Sequence, residues 1–319
     1  MFPVIDRIAK PLHSGDLIPP PRFANKRFEG YRIDPAVPGQ QEAVLQVRRF
    51  AALRASWLTQ LLSRSGKAGL YLDGGFGVGK THLLAACFPA AHGSRRYLSF
   101  SEAMSLLVVL GIKPAIDLLR ADLVCIDEFE LDDPANTRLA DLLVRSLVEK
   151  GCRIVTTSNT VPGELGQGRM AVDLFRNQLA RIEAVFADVH VPGNDFRRTL
   201  ASGGTPAGWG RDPAPLAHAP RIDARSLDLH LRDLPVALLR RLAAALAEGL
   251  VIEGLAPFTD QLAALRLVHF IDRCYDAQVP LRVISDHPID SLFPPEHCVA
   301  AFAKKYRRCQ SRLVELCTV

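Results

Sequence analysis

Residues 74–81 form a glycine-rich stretch of the kind that binds phosphate groups. They read Gly-Gly-Phe-Gly-Val-Gly-Lys-Thr, which fits the pattern G-x-x-x-x-G-K-[ST]. Glycines in such a loop permit a tight turn that points backbone N–H groups at phosphate oxygens, and the helix that follows presents its positive dipole end to the same anion. Lys80 is expected to reach the β- and γ-phosphates of a nucleoside triphosphate, and the Thr81 hydroxyl to bind Mg²⁺. The predicted nucleotide-binding residues are Gly74, Gly75, Phe76, Gly77, Val78, Gly79, Lys80 and Thr81.

An acidic pair follows a second apolar run. Residues 123–126 read Leu-Val-Cys-Ile and are followed by Asp127 and Glu128, which is the Walker B arrangement. Asp127 is predicted to hold the Mg²⁺ shell, and Glu128 to polarise the water that attacks the γ-phosphate. The glutamate favours a hydrolase over a small-molecule kinase, because a phosphotransferase needs no water-activating carboxylate at this place.

A third run, residues 153–159, reads Arg-Ile-Val-Thr-Thr-Ser-Asn. It ends in a polar cluster, as a central strand does when its carboxyl end enters a site. The pattern resembles the strand that lies between the two Walker strands in AAA-type ATPases, where a polar residue at the tip helps to orient the attacking water. Asn159 is the candidate for that role. The alternative is an asparagine that only starts a turn before Pro162 and Gly163.

The composition describes an ordinary soluble globular protein of one or two domains. The chain has 319 residues, of which 48% are hydrophobic and 23% charged, and its net charge is +5. No apolar run reaches the roughly 18 residues of a membrane span, and residues 1–30 resemble neither a signal nor a transit peptide. The seven cysteines form no C-x-x-C pair, which predicts reduced thiols in a cytoplasmic protein.

Five basic residues lie close together near the C-terminus. They are Lys304, Lys305, Arg307, Arg308 and Arg312. On a helix such a cluster is expected to be a solvated face, and the alternative is a nucleic-acid-binding patch. The net charge neither requires nor rules out a nucleic-acid partner.

Strand-like and helix-like segments alternate along the first two thirds of the chain. This alternation predicts an α/β fold with a parallel sheet that is covered on both faces. Because the two Walker motifs resemble those of AAA-type ATPases, the implied fold is a P-loop NTPase of AAA type, a three-layer sandwich around that sheet. The predicted strands cover residues 70–72, 97–100, 123–126, 154–157 and 188–191. The predicted divisions are an N-terminal extended segment with a lead-in helix at 1–62, an ATPase core at 63–200, a Gly/Pro-rich linker at 201–220 and a C-terminal α+β region at 221–319.

The C-terminal region is expected to be an extension packed on the core. Its apolar patterns predict helices at 235–248, 259–276 and 296–317. Strands at 250–252 and 281–285 are too few for a stable sheet of their own. We therefore expect them to add to the ATPase sheet or to pack against it.

Several short motifs outside the phosphate loop resemble one family, the ZapE and Afg-one-like AAA-type ATPases. The motifs are Ile126-Asp127-Glu128-Phe129, Thr157-Ser158-Asn159 followed by Pro162 and Leu165, Asp195-Phe196-Arg197, residues 271–276 and Ser311-Arg312-Leu313. Phe196 stands where the family usually has tyrosine. The resemblance covers nearly the whole chain. It implies an ATPase that binds ATP and Mg²⁺, forms a homo-oligomer when active, and acts on a protein partner, for which the tubulin-like division polymer FtsZ is the candidate.

AAA-type ATPases commonly complete the site with an arginine from an adjacent subunit, which neutralises charge that develops on the γ-phosphate. Arg169, Arg176 and Arg181 lie in the interval of the sequence where such a residue is found. Arg169 is nearest to the family pattern and ranks first, and Arg181 ranks second. The alternative for each is a solvated helix arginine, and Arg197 is expected to contact nucleotide or to brace the sheet edge.

The sequence thus predicts ATP hydrolysis that drives the remodelling of a protein partner. Two other functions stay open. A helicase-loader or initiator-like ATPase on DNA shares the same core, and a nucleotide-dependent switch or scaffold would bind ATP with little turnover. Glu128 and Asn159 argue against the switch. The family resemblance implies a cytoplasmic protein that is recruited to the division site.

Overall fold

The computed structural model describes residues 12–53, 67–75, 77–131, 134–160, 172–193, 206–295 and 300–318. The chain divides into two compact units. The N-terminal unit comprises residues 13–19 and 23–201, and the C-terminal unit comprises residues 1–12, 20–22 and 202–319.

A five-stranded parallel sheet organises the N-terminal unit. Its strands are β1 (Gly69–Asp73), β2 (Arg95–Ser99), β3 (Leu123–Asp127), β4 (Arg153–Thr157) and β5 (Phe186–His190). The helices are α1 (Gln40–Ala51), α2 (Lys80–Ala90), α3 (Phe100–Leu110), α4 (Ile112–Leu119), α5 (Pro134–Glu149) and α6 (Val172–Val185). The predicted lead-in helix, expected to reach about residue 62, ends at Ala51, and residues 54–66 lie outside the described ranges.

The strand order in this sheet is β2-β3-β4-β1-β5. Val155 of β4 pairs with Leu70 of β1 on one side and with Cys125 of β3 on the other. These residues are all buried, as expected for parallel strands that are covered on both faces. The predicted parallel α/β fold is confirmed, and β4 lies between the strands that carry the phosphate loop and the acidic pair.

Helix α3 begins at Phe100, the residue at which the predicted strand was expected to end. The Ser99 hydroxyl accepts the N–H of Glu102 at 3.3 Å, and the Glu102 carboxylate accepts the N–H of Ser99 at 2.7 Å. This reciprocal pair satisfies two backbone donors at the helix start. Phe100, predicted as strand, is therefore the first residue of a helix.

The segment before α1 was predicted to be extended, but it contains short helical turns. It contains 3₁₀ turns at Ser14–Asp16, Pro21–Phe23 and Phe28–Gly30. Phe28 and Tyr31 are buried in the core of the N-terminal unit. Burial of these two rings offsets the cost of ordering a segment that has little regular structure.

The C-terminal unit has a parallel sheet of its own, in the order β6-β9-β8-β7. The strands are β6 (Trp209–Gly210), β7 (Arg221–Asp223), β8 (Leu250–Glu253) and β9 (Leu281–Ile284). The helices are α7 (Ala224–Asp233), α8 (Leu239–Ala245), α9 (Gln261–Ala277) and α10 (Ala300–Thr318), with 3₁₀ turns at Val236–Leu238 and Ile289–Ser291. The expectation that the strands at 250–252 and 281–285 add to the ATPase sheet is wrong, because they pair with each other and with β6 and β7.

Strand β6, at one edge of this sheet, lies within the predicted linker at 201–220. Trp209 is buried, pairs with Val283, and donates its indole N–H to the carbonyl of His287 at 2.9 Å. The core behind it includes Leu242, Ile252 and Ile271. Parallel pairing with helical crossovers makes this region α/β in character rather than α+β. Of the helices in the described ranges, none combines the length and the apolarity that a bilayer span requires.

The C-terminal basic cluster is partly buried. Asp272 on α9 accepts hydrogen bonds from Arg308, at 2.9 Å, and from Arg312 on α10. Although burial alone would raise the pKa of Asp272, the two guanidinium groups hold it well below its usual range. The expectation of a uniformly solvated face is therefore wrong for Arg308 and Arg312, which lie against a carboxylate contributed by another helix.

Candidate functional site

The glycine-rich loop connects the end of β1 to the start of α2. Gly74 and Gly79 have φ angles of +143° and +95°, which side chains rarely tolerate. A Cβ atom at Gly74 would lie 2.4 Å from the carbonyl oxygen of Val191, and one at Gly79 would lie 2.6 Å from the Tyr31 ring. Both positions need glycine for backbone conformation and for space. The predicted loop conformation therefore has a physical basis at these two residues, whereas Phe76 lies outside the described residues.

Lys80 begins α2 and turns its side chain back into the loop. Its ammonium group donates to the carbonyl oxygens of Gly74 at 2.8 Å and Gly75 at 2.7 Å, and the residue is buried. The charge therefore lies within the curve of the loop, at the amino end of α2. Helix ends of this kind attract anions, because backbone N–H groups and the dipole act together.

Asp127 at the end of β3 accepts hydrogen bonds from three hydroxyl groups. Thr81 donates to Oδ1 at 3.2 Å, Thr157 donates to Oδ1 at 2.5 Å, and Tyr97 donates to Oδ2 at 3.1 Å. The Thr81 hydroxyl and the Asp127 carboxylate are thus adjacent, although 46 positions separate them in the sequence. Hard oxygen donors of this kind suit Mg²⁺, which is held by few protein ligands together with water and phosphate.

Glu128 lies in an unusual backbone conformation directly after Asp127. Its φ angle is +55°, in the left-handed region that residues other than glycine seldom adopt. Its N–H donates to the Thr157 hydroxyl at 3.0 Å. The following residue, Phe129, is fully buried, and its ring lies 4.7 Å from that of Phe100. A turn anchored on both sides therefore holds Glu128 at the edge of the sheet.

Asn159 follows β4 at the same edge. The N–H of Ser158 donates to the carbonyl of Leu72 at 2.9 Å, and the Tyr71 hydroxyl donates to the carbonyl of Thr160 at 3.0 Å. Burial raises the pKa of Tyr71, so its hydroxyl stays protonated and able to donate. The Asn159 amide nitrogen lies 3.5 Å from an oxygen of Glu130. The structure thus brings Lys80, the acidic pair and Asn159 to the carboxyl ends of neighbouring strands.

Of the two arginines ranked as candidates for completing a neighbouring site, the structure describes Arg181. Arg169 lies outside the described residues. Arg181 on α6 forms a bidentate ion pair with Asp141 on α5, with a shortest distance of 2.6 Å, and Arg145 donates to the same carboxylate at 3.1 Å. Burial raises the pKa of Asp141, but the two guanidinium groups lower it below its ordinary value. Arg181 therefore braces two helices of its own chain while its side chain stays 46% exposed.

Comparison with known proteins agrees with this geometry. The model of the AFG1-like ATPase family matches residues 9–206, which is more than half of the chain and ends near the end of the N-terminal unit. The chain belongs to the AFG1-like ATPase family. The predicted family resemblance is confirmed.

The relatives of this AFG1-like ATPase include a bacterial division protein. The cell division protein ZapE of Escherichia coli K12 is 24% identical over 297 residues, with 78% of this chain and 77% of ZapE covered. Among solved structures, AMPPCP-bound DnaA from Aquifex aeolicus is 17% identical with a TM-score of 0.42, and the match covers 56% of this chain and 55% of DnaA. The DnaC helicase loader is 20% identical with a TM-score of 0.41, and the match covers 54% of this chain and 99% of the loader.

Two residues at the phosphate loop of this AFG1-like ATPase were not foreseen from the sequence. The Tyr31 hydroxyl donates to the carbonyl of Val78 at 2.6 Å, and the Gln40 amide donates to the carbonyl of Pro192 at 3.2 Å. Tyr31 and Val78 are 47 positions apart, and the segment before α1 has no periodicity that would indicate a contact. The signal that the sequence offered was the group of aromatic residues in that segment, Phe23, Phe28 and Tyr31.

Proposed function

We propose that this chain hydrolyses Mg²⁺-bound ATP by in-line attack of water and uses the energy to remodel a protein partner. The observation that carries the proposal is the contact between the hydroxyl of Thr81 and the carboxylate of Asp127, 3.2 Å apart at one edge of the sheet. Glu128 follows Asp127 directly, and Lys80 begins the helix to which Thr81 belongs. This edge therefore combines phosphate binding, metal ligands and a carboxylate that can accept a proton.

Each residue has a separate role in the proposed reaction. The loop N–H groups and Lys80 bind the phosphates, and Thr81 with Asp127 would hold Mg²⁺, which neutralises charge on the β- and γ-phosphates when bound. Glu128 accepts a proton from the attacking water. Asn159 orients that water or the γ-phosphate. The chemistry needs no covalent intermediate, so positioning and electrostatic stabilisation supply the rate enhancement.

The proposal includes assembly of several copies. A second copy would contribute an arginine to the γ-phosphate, with Arg169 as the first candidate. Arg181 is a weaker candidate, because its guanidinium group already pairs with Asp141 within the chain. A protein partner is proposed on the basis of family membership and of similarity to a cell division protein. On the same basis the FtsZ polymer is the first partner to test.

Phosphate release measured on Glu128→Gln tests the catalytic proposal. The variant keeps the size of the side chain but removes the proton acceptor, so it should bind a fluorescent ATP analogue as the original chain does and release phosphate at least about tenfold more slowly. Glu149→Gln is the matched control, since Glu149 is exposed at the end of α5. Turnover within a few-fold of the original chain would exclude the assigned role for Glu128.

The same variant tests the partner. Glu128→Gln loaded with ATP should cosediment with FtsZ polymers, whereas Lys80→Ala should not, because it fails to hold ATP. If a purified, ATP-loaded Glu128→Gln chain does not bind FtsZ but does bind single-stranded DNA, the DNA-associated function becomes the better conclusion.

A further inference from the structure

Glu130, to which no motif assigns a role, contacts the proposed water-orienting residue. Its Oε1 atom lies 3.5 Å from the amide nitrogen of Asn159. Glu130 follows β3 by three positions and Asn159 follows β4 by two. The pair thus spans two neighbouring strands at the edge where the ATPase residues meet.

The backbone around this pair is fixed, so the contact is built into the fold. The N–H of Phe129 donates to the carbonyl of Thr157 at 2.7 Å. The ring of Phe129 is fully buried between those of Phe100 and Phe186, with centroid distances of 4.7 and 6.2 Å. On the other side, the Tyr71 hydroxyl holds the carbonyl of Thr160 at 3.0 Å. Glu130 and Asn159 therefore extend from two loops that are tied to each other and to β1.

A carboxylate at this place selects one orientation of the amide. An ionised carboxylate only accepts hydrogen bonds, whereas an asparagine amide has a donor nitrogen and an acceptor oxygen that differ little in size. The amide nitrogen must therefore face Glu130, and the oxygen is directed elsewhere. A glutamine at position 130 could offer either atom, and the amide of Asn159 could then flip.

We infer that Glu130 is a positioning residue that fixes the amide orientation of Asn159 for hydrolysis. This inference rests on the proposed function, in which Asn159 orients the water or the γ-phosphate. Glu130 itself need not touch ATP. It acts by disfavouring the flipped orientation of the Asn159 amide before the chemical step.

The test separates kcat from KM in Glu130→Gln, which retains the shape of the side chain. Losing one hydrogen bond that favours the productive orientation should lower kcat about fivefold, while KM for ATP and the affinity for a fluorescent ATP analogue should change less than about twofold. Glu149→Gln serves as the control for removing a carboxylate elsewhere. Glu130→Asp keeps an acceptor-only group and should recover part of the lost kcat.

A double-mutant cycle decides whether the effect passes through Asn159. In an Asn159→Ala background, Glu130→Gln should cause no further loss of kcat. An equal loss in both backgrounds, or an unchanged kcat in the single variant, would overturn the inference and leave the proposed function intact. Absence of ATP hydrolysis by the original chain would overturn both.

A reciprocal exchange covers the case in which Glu130→Gln alone is unstable. Asn159→Asp places two carboxylates next to each other, and adding Glu130→Gln supplies a donor for the new carboxylate. The double variant should have a higher melting temperature than Asn159→Asp alone. If the second change instead lowers the melting temperature further, the two side chains do not interact as inferred.

Discussion

Thr157 is the residue whose removal should separate fold stability from the ATPase site. Its hydroxyl donates to Asp127 at 2.5 Å and accepts the N–H of Glu128 at 3.0 Å. The preceding residue, Thr156, is equally buried, but its hydroxyl donates only to the carbonyl of Ile126 at 2.8 Å. Thr157→Val and Thr156→Val are therefore matched changes on one strand. The first removes a hydrogen bond to a charged carboxylate, and the second removes one to a neutral carbonyl.

The expected magnitudes follow from the kind of partner. A hydrogen bond to a charged group contributes about 1.5–3 kcal/mol to stability, and a neutral one about 1 kcal/mol. In Thr157→Val the N–H of Glu128 keeps a second acceptor, Asp127 Oδ1 at 3.2 Å, so no full penalty for an unpaired donor is added. We expect a loss of about 2 kcal/mol for Thr157→Val and about 1 kcal/mol for Thr156→Val.

Activity should separate the two variants more clearly than stability. Thr157→Val loosens both the proposed metal ligand and the turn that holds Glu128, so kcat should fall about tenfold or more. Thr156→Val should keep its kcat. Phosphate release and thermal unfolding, with the relevant transition identified by its shift on adding Mg²⁺ and ATP, measure both effects. Equal stability losses together with unchanged turnover in Thr157→Val would refute the reasoning.

Three further outcomes are expected. Lys80→Ala should weaken ATP binding by at least about tenfold in a fluorescence titration, because it removes charge-assisted hydrogen bonds to phosphate, and unchanged affinity would contradict the loop assignment. Mixing Arg169→Ala with Glu128→Gln should restore part of the phosphate release that each lacks, and no recovery from folded, assembled mixtures would exclude Arg169. Burial lowers the pKa of His269 to about 4, so the unfolded chain binds an extra proton between about pH 6.5 and 4. The unfolding free energy of the C-terminal unit should therefore fall by up to about 3 kcal/mol as the pH drops through that window, and urea titrations followed by fluorescence of Trp209 should show a smaller fall in His269→Gln.

The backbone conformation of the proposed ATPase site was predictable from sequence because it depends on local geometry. The backbone has positive φ angles at Gly74 and Gly79. Such angles favour glycine, so the sequence itself indicates where they occur. The place of Asn159 followed from the strand that precedes it. The contact between Tyr31 and Val78 was not predictable, because it depends on the path of a segment without periodicity.

The C-terminal unit was harder to predict for two physical reasons. Strand β6 has only two residues and is specified by its partner β9 rather than by its own sequence, so the region around it looked like a linker. Arg308 and Arg312 were expected on a solvated face, because the sequence pattern of one helix does not reveal a carboxylate on another helix. Asp272, their partner, lies 36 and 40 positions away.

In the proposed mechanism, the left-handed backbone of Glu128 lowers stability at the position that supplies the proton acceptor. A non-glycine residue with a φ angle of +55° costs about 1–2 kcal/mol relative to a relaxed conformation, and glycine would adopt the same angle without strain. A library selected only for heat tolerance should therefore accumulate glycine at position 128 and lose its turnover. Engineering of this chain for durability would have to hold that residue constant and look for gains elsewhere.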